Sequence, residues 1–209
     1  MAQPETTACI HWQALYPLID KMGFMSPKTN RKSKINIRVR TMKPRDFEGV
    51  VGNYYGAYDE AKRNPWIGIY LYAEKPLIKD EKKWFRETLA KAKRGDGFAL
   101  VAEADGEIVG TTDIWTKTPQ LDQRHVGMVG LLVREDYRNL GVGTALLSAL
   151  IERAKQQGKY ELLVLSVFAN NEHARHLYRK LGFAEFGVLP NGLKRNGKYV
   201  DEIYMYRTL

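Results

Sequence analysis

The chain has 209 residues, 44% of them hydrophobic and 27% charged, a size and balance that suit one globular domain with an extension better than two full domains. No stretch approaches the roughly 18 consecutive apolar residues of a membrane helix, and Cys9 is the single cysteine, which excludes an intrachain disulfide and disfavours a cysteine-based zinc site. The formal net charge of +9 favours partners that carry phosphate, although a solvated basic face explains it equally well.

Residues 1–34 are predicted to form an N-terminal extension ahead of a domain at 35–209. The stretch 26–34 is polar and basic without apolar periodicity, which is typical of a linker, and 12–19 can form a short amphipathic helix. The N-terminus lacks the charged, apolar and small-residue order of a secretory signal, so we expect a cytoplasmic protein. The oligomeric state stays open, with a homodimer as one option.

The domain is predicted to have a mixed α/β fold, with about seven mostly antiparallel strands and about four flanking helices. INIRVR, from residue 35, alternates apolar and basic residues as a half-buried strand does, and Pro44 can open a helix to about Tyr58. The dipeptide 105–106, Asp-Gly, predicts a tight hairpin turn. The remaining predicted elements are helices over 80–94, 141–157 and 171–181 and strands over 98–104, 107–115, 126–133, 162–168, 183–189 and 199–207. A turn-rich loop with Asn-Gly at 191–192 and 196–197 is predicted to join the last two strands.

The most informative stretch, LLVREDYRNLGVGT, runs from Leu131 to Thr144. A strand ends there, a short turn follows, and a helix opens at Gly141 and Gly143. A helix start leaves amide hydrogens unpaired and carries about half a positive charge, glycines let an anion approach the backbone, and Arg138 adds a positive side chain. The stretch lacks the Gly-Lys-Ser/Thr of a P-loop and the third glycine of a dinucleotide fingerprint, so a glycine-rich turn without a ligand stays open here.

Two motifs together resemble the GCN5-related N-acetyltransferase (GNAT) superfamily. Residues 138–143, Arg-x-x-Gly-x-Gly, match its Gln/Arg-x-x-Gly-x-Gly/Ala pyrophosphate loop, and 171–183, Asn-x-x-Ala-x-x-Leu-Tyr-x-x-x-Gly-Phe, match its second motif. The ending at 196–202 looks like members that act on small amines and ribosomal proteins. The resemblance covers roughly 36–207 and is strong over 129–186.

The resemblance implies a GNAT fold in which splayed parallel strands bind acetyl-CoA, and an enzyme that moves the acetyl group to a primary amine of a small amine, an amino acid or a protein N-terminus. Main-chain groups of 131–133 would pair with pantetheine, and amides over 139–144 would hold the diphosphate. No metal is implied. The implied cofactor-binding residues are Leu131, Leu132, Val133, Arg138, Asn139, Leu140, Gly141, Val142, Gly143, Thr144, Asn171, Ala174 and Tyr178.

Tyr178 matches the general acid of the family. A phenol has an ordinary pKa near 10 and a thiol one near 8.5, so a positioned hydroxyl could protonate the leaving sulfur or hydrogen-bond it. A backbone amide of 131–133 would meet the oxyanion. The alternative for Tyr178 is simple packing, since it shares a helix face with Ala174 and Leu181. Asn171 either hydrogen-bonds the cofactor arm, caps a helix, or does both.

The general base is open at this stage. Ser166 stands where some ribosomal-protein-type relatives carry a glutamate, and His125, Asp113, Glu103 or a water-mediated route are the alternatives. The acceptor is predicted to enter between the first two helices and the final hairpin, where aromatic side chains over 53–76 can hold a cationic amine or fill a core. Two other functions stay open: a non-catalytic acetyl-CoA sensor, and a nucleic-acid-binding protein, which lacks a recognition motif.

Overall fold

A computed structural model describes residues 35–118 and 120–209, so the predicted extension at 1–34 lies outside the described residues. Within them, seven strands form one sheet flanked by four helices, as predicted. The strands are β1 (Arg38–Thr41), β2 (Gly97–Ala104), β3 (Glu107–Thr116), β4 (Val126–Val133), β5 (Leu162–Phe168), β6 (Ala184–Arg195) and β7 (Lys198–Thr208). The helices are α1 (Phe47–Arg63), α2 (Ile78–Lys93), α3 (Val142–Gln157) and α4 (Glu172–Lys180).

Helix α1 begins and ends later than predicted. Pro44 opens a 3-10 turn at Pro44–Asp46, and the α-helix then continues to Arg63 instead of ending near Tyr58. The added turn contains Glu60, which is 5% exposed and paired with a side chain of another element. A long-range ion pair therefore fixes this end of the helix, and no local sequence signal indicates it.

The strand order is β1-β2-β3-β4-β5-β7-β6, and every neighbouring pair is antiparallel except β4 and β5. These two parallel strands pair only where Val126–Met128 lies beside Leu162–Val164. Both strands continue beyond this point, β4 to Val133 and β5 to Phe168, without pairing to each other. The sheet thus opens into a wedge between 129–133 and 165–168, which we call the cleft.

Side chains alternate between the two faces of the sheet, and this alternation decides what lines each side of the cleft. Leu131 and Val133 pack with the core beneath α3 and α4. On β3, Trp115 packs instead with the smaller core beneath α1 and α2. Asp113, two residues from Trp115, and its register partner Gly130 share this second face.

The final hairpin differs from the predicted pair of short strands. Strands β6 and β7 run up to a tight turn at Asn196 and Gly197, both with left-handed backbones (φ 50° and 74°). The other Asn-Gly dipeptide, at 191–192, lies within β6, where the β6–β7 register shifts between Leu189 and Leu193. It forms an irregularity inside the strand, so the prediction of a loop there is wrong.

Candidate active site

Over residues 129–133, one edge of β4 faces the cleft and pairs with no strand of the described residues. In an antiparallel ladder, alternate residues pair with one neighbour, and the Arg134 amide donates to the Val109 carbonyl at 2.9 Å. Because this orientation repeats every second residue, the main-chain groups of Leu132 also point toward β3. Those of Leu131 and Val133 consequently face the cleft. Of the three strand residues predicted to bind pantetheine, these two have main-chain groups oriented for it.

The turn before α3 has the backbone geometry of an anion cradle. Asn139 and Gly141 are left-handed (φ 61° and 88°), whereas Leu140 between them is not. The Ala145 amide donates to the Gly141 carbonyl at 3.0 Å, so the amides of 142–144 precede that helical hydrogen bond. No side chain of the described residues caps this helix start. Successive amides in such a turn point into one concavity with the positive end of the helix dipole, which suits a diphosphate.

Gly143 is a close-packing position between three elements. A Cβ built on it would lie 3.0 Å from Leu177 Cδ2 of α4 and 3.7 Å from Leu131 Cδ2 of β4. Gly141, by contrast, has room for a Cβ, whose nearest neighbour would be Ile37 Cδ1 at 3.9 Å. Gly141 is therefore needed for its backbone conformation, and Gly143 is needed for the approach of α4 to the cleft.

Arg138 does not point its charge at the turn as its position in the motif suggests. Its Nη1 and Nη2 donate to the two carboxylate oxygens of Glu60, at 2.5 and 2.7 Å, and its Nε donates to the Val133 carbonyl at 3.0 Å. Its main-chain amide donates to the Glu135 carbonyl. Arg138 thus joins the end of α1 to the end of β4 and positions the turn between them.

Asn171 caps α4, one of the two roles open from the sequence. Its Oδ1 accepts a hydrogen bond from the Ala174 amide at 3.2 Å. Its Nδ2 lies against Gly68, where a Cβ would come within 2.0 Å of it. The loop after α1 therefore reaches the C-terminal end of β5, and the predicted cofactor residues Asn171 and Ala174 are joined to each other by the cap.

Tyr178 is buried at the cleft and its hydroxyl has no hydrogen-bond partner among the described residues. The side chain is 8% exposed, packs edge-on to Phe183 at 5.9 Å between ring centroids, and belongs to the same core as Leu131 and Val133. Burial raises the pKa of Tyr178 to about 12. Because a buried tyrosine hydroxyl usually finds a partner, this unsatisfied group calls for a ligand atom.

A carboxylate lies on the opposite face of β4. Asp113 Oδ1 packs so closely over Gly130 that a Cβ there would come within 2.7 Å of it. Burial dominates and raises the pKa of Asp113 to about 6, although the neighbouring Trp115 side chain lowers it. Asp113 is therefore a carboxylate that accepts a proton near neutral pH more readily than an exposed aspartate does.

A cluster of hydrogen-bonded polar side chains lies on the other side of the cleft, at β5 and β7. Tyr70, in the loop between α1 and α2, has its hydroxyl 2.9 Å from Ser166 Oγ and donates to Glu202 Oε1 at 2.8 Å. Tyr204 donates to the other carboxylate oxygen of Glu202 at 3.0 Å. Desolvation is the main cause of the raised pKa of Tyr70. A carboxylate from β7 is thereby connected to Ser166 through one tyrosine hydroxyl.

Comparison with known proteins identifies the protein family. A sequence model described as the acetyltransferase (GNAT) family matches residues 65–183. The chain belongs to this family. The L-methionine sulfoximine/L-methionine sulfone acetyltransferase of Pseudomonas paraeruginosa is 30% identical over 140 residues, which cover 66% of this chain and 79% of that protein. The L-amino acid N-acetyltransferase of Escherichia coli is 36% identical over 52% of this chain and 66% of its own length. The ribosomal-protein-alanine N-acetyltransferase of Brucella melitensis superposes with a TM-score of 0.70 at 25% identity, covering 82% of this chain and 99% of that one.

This GNAT-family chain is an N-acetyltransferase, and its acyl donor is acetyl-CoA. The splayed β4–β5 pair expected from the resemblance is present, as is the mixed sheet of seven strands. Within the described residues, no helix is long and apolar enough to cross a membrane. The same part of the chain contains no group of three or more potential metal ligands.

Two of the residues considered as general bases lie away from the cleft of this acetyltransferase. Glu103 on β2 accepts a hydrogen bond from Arg40 Nε at 2.9 Å, two strands from β4. His125 is exposed and precedes β4, and its carbonyl accepts the amides of Glu161 and Leu162 where β4 and β5 still pair. Asp113 remains at the cleft.

Tyr70 and Glu202 are candidate site residues that the sequence does not single out individually. Tyr70 is one of several aromatic residues over 53–76, and tyrosines of α1 among them bond to the loop before α2. Tyr55, for example, donates to the Pro76 carbonyl at 2.6 Å. Glu202 sits in the ending that resembles small-amine and ribosomal-protein enzymes, and the β5–β7 register places it beside Phe168. Only that register reveals that Glu202 brings a carboxylate near Ser166.

Proposed function

We propose that this enzyme acetylates a primary amine that reaches the cleft from the α1–α2 side, with Tyr178 acting on the sulfur side and Asp113 on the amine side. The unpartnered, buried hydroxyl of Tyr178 carries the proposal. The cleft separates this phenol, on the α3–α4 face, from the Asp113 carboxylate, on the α1–α2 face. These two groups lie on opposite sides of the cleft. Such an arrangement suits a reaction in which the attacking amine and the departing sulfur also occupy opposite sides of the cleft.

The residues at the cleft fit acetyl-CoA. The concave amides at 139–144 would hold the diphosphate, and the main-chain groups of Leu131 together with the main-chain amide of Val133 would pair with the pantetheine arm. When bound there, acetyl-CoA supplies an activated acetyl thioester. A main-chain amide of the same strand would stabilise the negative charge on the carbonyl oxygen. Leu132 and Arg138 would support the site by holding β4 and the turn.

Tyr178 would act as a hydrogen-bond donor to the sulfur. With its pKa near 12, the hydroxyl keeps its proton at neutral pH. A thiol has an ordinary pKa of about 8.5, which is lower than that of this phenol. Tyr178 therefore stabilises a departing sulfur by hydrogen bonding more readily than by complete proton transfer.

Asp113 would take the proton that the amine must lose. Its pKa of about 6 leaves most of the carboxylates ionised at pH 7 and makes each a better base than an exposed aspartate. Glu202 is held by two tyrosine hydroxyls and is suited to fix Tyr70 and to attract a cationic amine. Two of the relatives described above are named for L-amino acid or methionine-derivative substrates and a third for a ribosomal protein, so all three acceptor classes stay within the proposal.

The direct test is release of coenzyme A thiol from acetyl-CoA in the presence of a panel of amines, with the acetylated product identified by mass spectrometry. We expect release that depends on the acceptor and is lost when the amine is blocked. Tight acetyl-CoA binding without release for any acceptor would contradict the transfer proposal and support the alternative, a non-catalytic sensor of the same fold.

We also propose a cytoplasmic homodimer that forms along β6. Among the strands of the described residues it pairs only with β7, and Phe186 and Val188 on it are 58% and 54% exposed. Exposed apolar edge strands are available for pairing with a second copy. Light scattering should give the mass of a dimer for the wild type and the mass of a monomer for Val188→Lys. A monomeric wild-type protein would contradict the dimer. Recovery of the protein in a membrane fraction would contradict the cytoplasmic location.

A further inference from the structure

Arg195 is a half-buried cation at the end of β6 that the proposed chemistry does not use. It lies in a shallow pocket on the α1–α2 face of the sheet, next to the polar group that contains Tyr70. The other residues that line this pocket are Trp66, Tyr70, Leu71, Phe168, Leu193 and Lys194.

The guanidinium of Arg195 is positioned by main-chain groups. Its Nη1 donates to the Pro65 carbonyl at 2.5 Å, its Nη2 donates to the Ile69 carbonyl at 3.0 Å, and its Cζ lies 5.5 Å from the ring centroid of Phe168. These bonds use two of its five N–H donors. No carboxylate of the described residues pairs with it, and burial lowers its pKa. A partly desolvated cation that is held rigidly without a counter-ion is the usual basis of an anion site.

Arg195 and the amine-side groups lie along one continuous wall. Phe168 follows Ser166 by two residues on the same face of β5, a separation of about 7 Å. The Tyr70 ring packs edge-on to Phe168 at 5.2 Å between centroids, while its hydroxyl contacts Ser166 and Glu202. A cation therefore lies at one end of this wall and a carboxylate at the other, with aromatic surface between them.

We propose that Arg195 binds the carboxylate of the acceptor, which makes the acceptor a free α-amino acid. This inference rests on the proposed transfer to an amine at the cleft. A zwitterion of this kind carries its carboxylate one carbon from its ammonium, so Arg195 can pair with the carboxylate while the ammonium points along the wall toward the Glu202 end. A protein N-terminus has a neutral amide where a free amino acid has its carboxylate, and a simple amine has nothing to pair with Arg195.

The test compares L-amino acids with their own amides, which lack the carboxylate that Arg195 would bind. L-phenylalanine and L-methionine, their amides, and the dipeptide L-phenylalanylglycine are suitable probes for a pocket with apolar walls. We expect the wild-type kcat/KM to favour each acid over its amide and over the dipeptide by at least ~10-fold, which corresponds to about 1.4 kcal/mol. In Arg195→Gln, the kcat/KM values for acid and amide should differ by no more than about 3-fold. Arg195→Lys should keep part of the preference for the acid.

The ratio of acid to amide is taken within each variant, so a general loss of folded enzyme cancels. Lys93→Met, which removes an exposed charge from α2, is the matched control and should keep the wild-type ratio. Equal use of acid and amide by the wild type, or an unchanged ratio in Arg195→Gln, overturns the inference. If no probe is turned over, calorimetry of the same pairs with coenzyme A-loaded protein tests the carboxylate site. Tighter binding of the acids than of the amides, abolished by Arg195→Gln, supports the site even though transfer has failed. Equal binding of acids and amides overturns the inference.

Discussion

Replacing Asp113 by asparagine should stabilise the protein at pH 7 while it removes activity. On folding, the pKa of Asp113 rises from 3.8 to about 6, so the folded state binds a proton more tightly than the unfolded state between these values. Stability is therefore lost as the pH rises from about 4 to 6, and the penalty is complete above that range. A shift of this size corresponds to about 3 kcal/mol for a fully buried group, and partial exposure of Asp113 reduces it to about 1–2 kcal/mol.

Asparagine removes the charge and keeps a side chain of nearly the same shape beside Trp115. Urea unfolding at pH 7 should show a midpoint about 0.5–1 M higher for Asp113→Asn than for the wild type, and the two proteins should coincide near pH 4. Turnover should fall by about 100-fold or more, since general-base catalysis contributes on this scale. Loss of the base should also remove the fall in kcat/KM below about pH 6.

Glu81 on α2 provides the matched control. It is 5% exposed, and burial, reinforced by neighbouring Asp80, raises its pKa to about 7. Glu81→Gln should therefore also raise the unfolding midpoint at neutral pH, but it should leave kcat unchanged. Two results would refute the reasoning about Asp113: equal stability of Asp113→Asn and the wild type at pH 7, or full turnover by Asp113→Asn.

Two further predictions concern the turn before α3. Gly141→Glu should weaken acetyl-CoA binding by more than ~100-fold in calorimetry, because a negative charge enters the amide cradle. Asparagine tolerates the left-handed backbone, so Gly141→Asn should weaken binding by less than ~10-fold. Equal affinity of the two variants counts against an anion at the turn. Arg138→Met should destabilise the protein by about 3–5 kcal/mol because it leaves Glu60 buried and unpaired, and Arg138→Met/Glu60→Gln should recover part of this; no recovery in urea unfolding means that the ion pair is not the cause.

Features that depend on local backbone chemistry could be predicted from the sequence. The turn at Asp105 and Gly106 has left-handed φ angles at both residues, as its Asp-Gly sequence indicates. The order of motifs along the chain also predicted the fold, because each motif sits on a fitting element. The helix cap, one of the two roles that the sequence left open for Asn171, is present in the structure.

Features that depend on register or on distant segments could not be predicted in this way. Nothing near Arg138 in sequence indicates that Glu60, on α1, takes its charge. The same limit hides Glu202, since its proximity to Ser166 depends on the β5–β7 register and on a loop that brings in Tyr70. Asn-Gly occurs twice in the final hairpin, and only the pairing decides that the second dipeptide is the turn and the first is an irregularity.

The central claim, that the Tyr178 hydroxyl serves the departing sulfur, is tested most directly by Tyr178→Phe. The change removes one oxygen and leaves the ring packed on Phe183, so the Kd for acetyl-CoA should stay within about 3-fold of the wild type, while kcat falls by about 100-fold or more. Tyr160→Phe, which removes another buried hydroxyl, one bonded to the Asp96 carbonyl, should change neither value. Wild-type turnover by Tyr178→Phe, or a loss explained entirely by weaker acetyl-CoA binding, would contradict the claim.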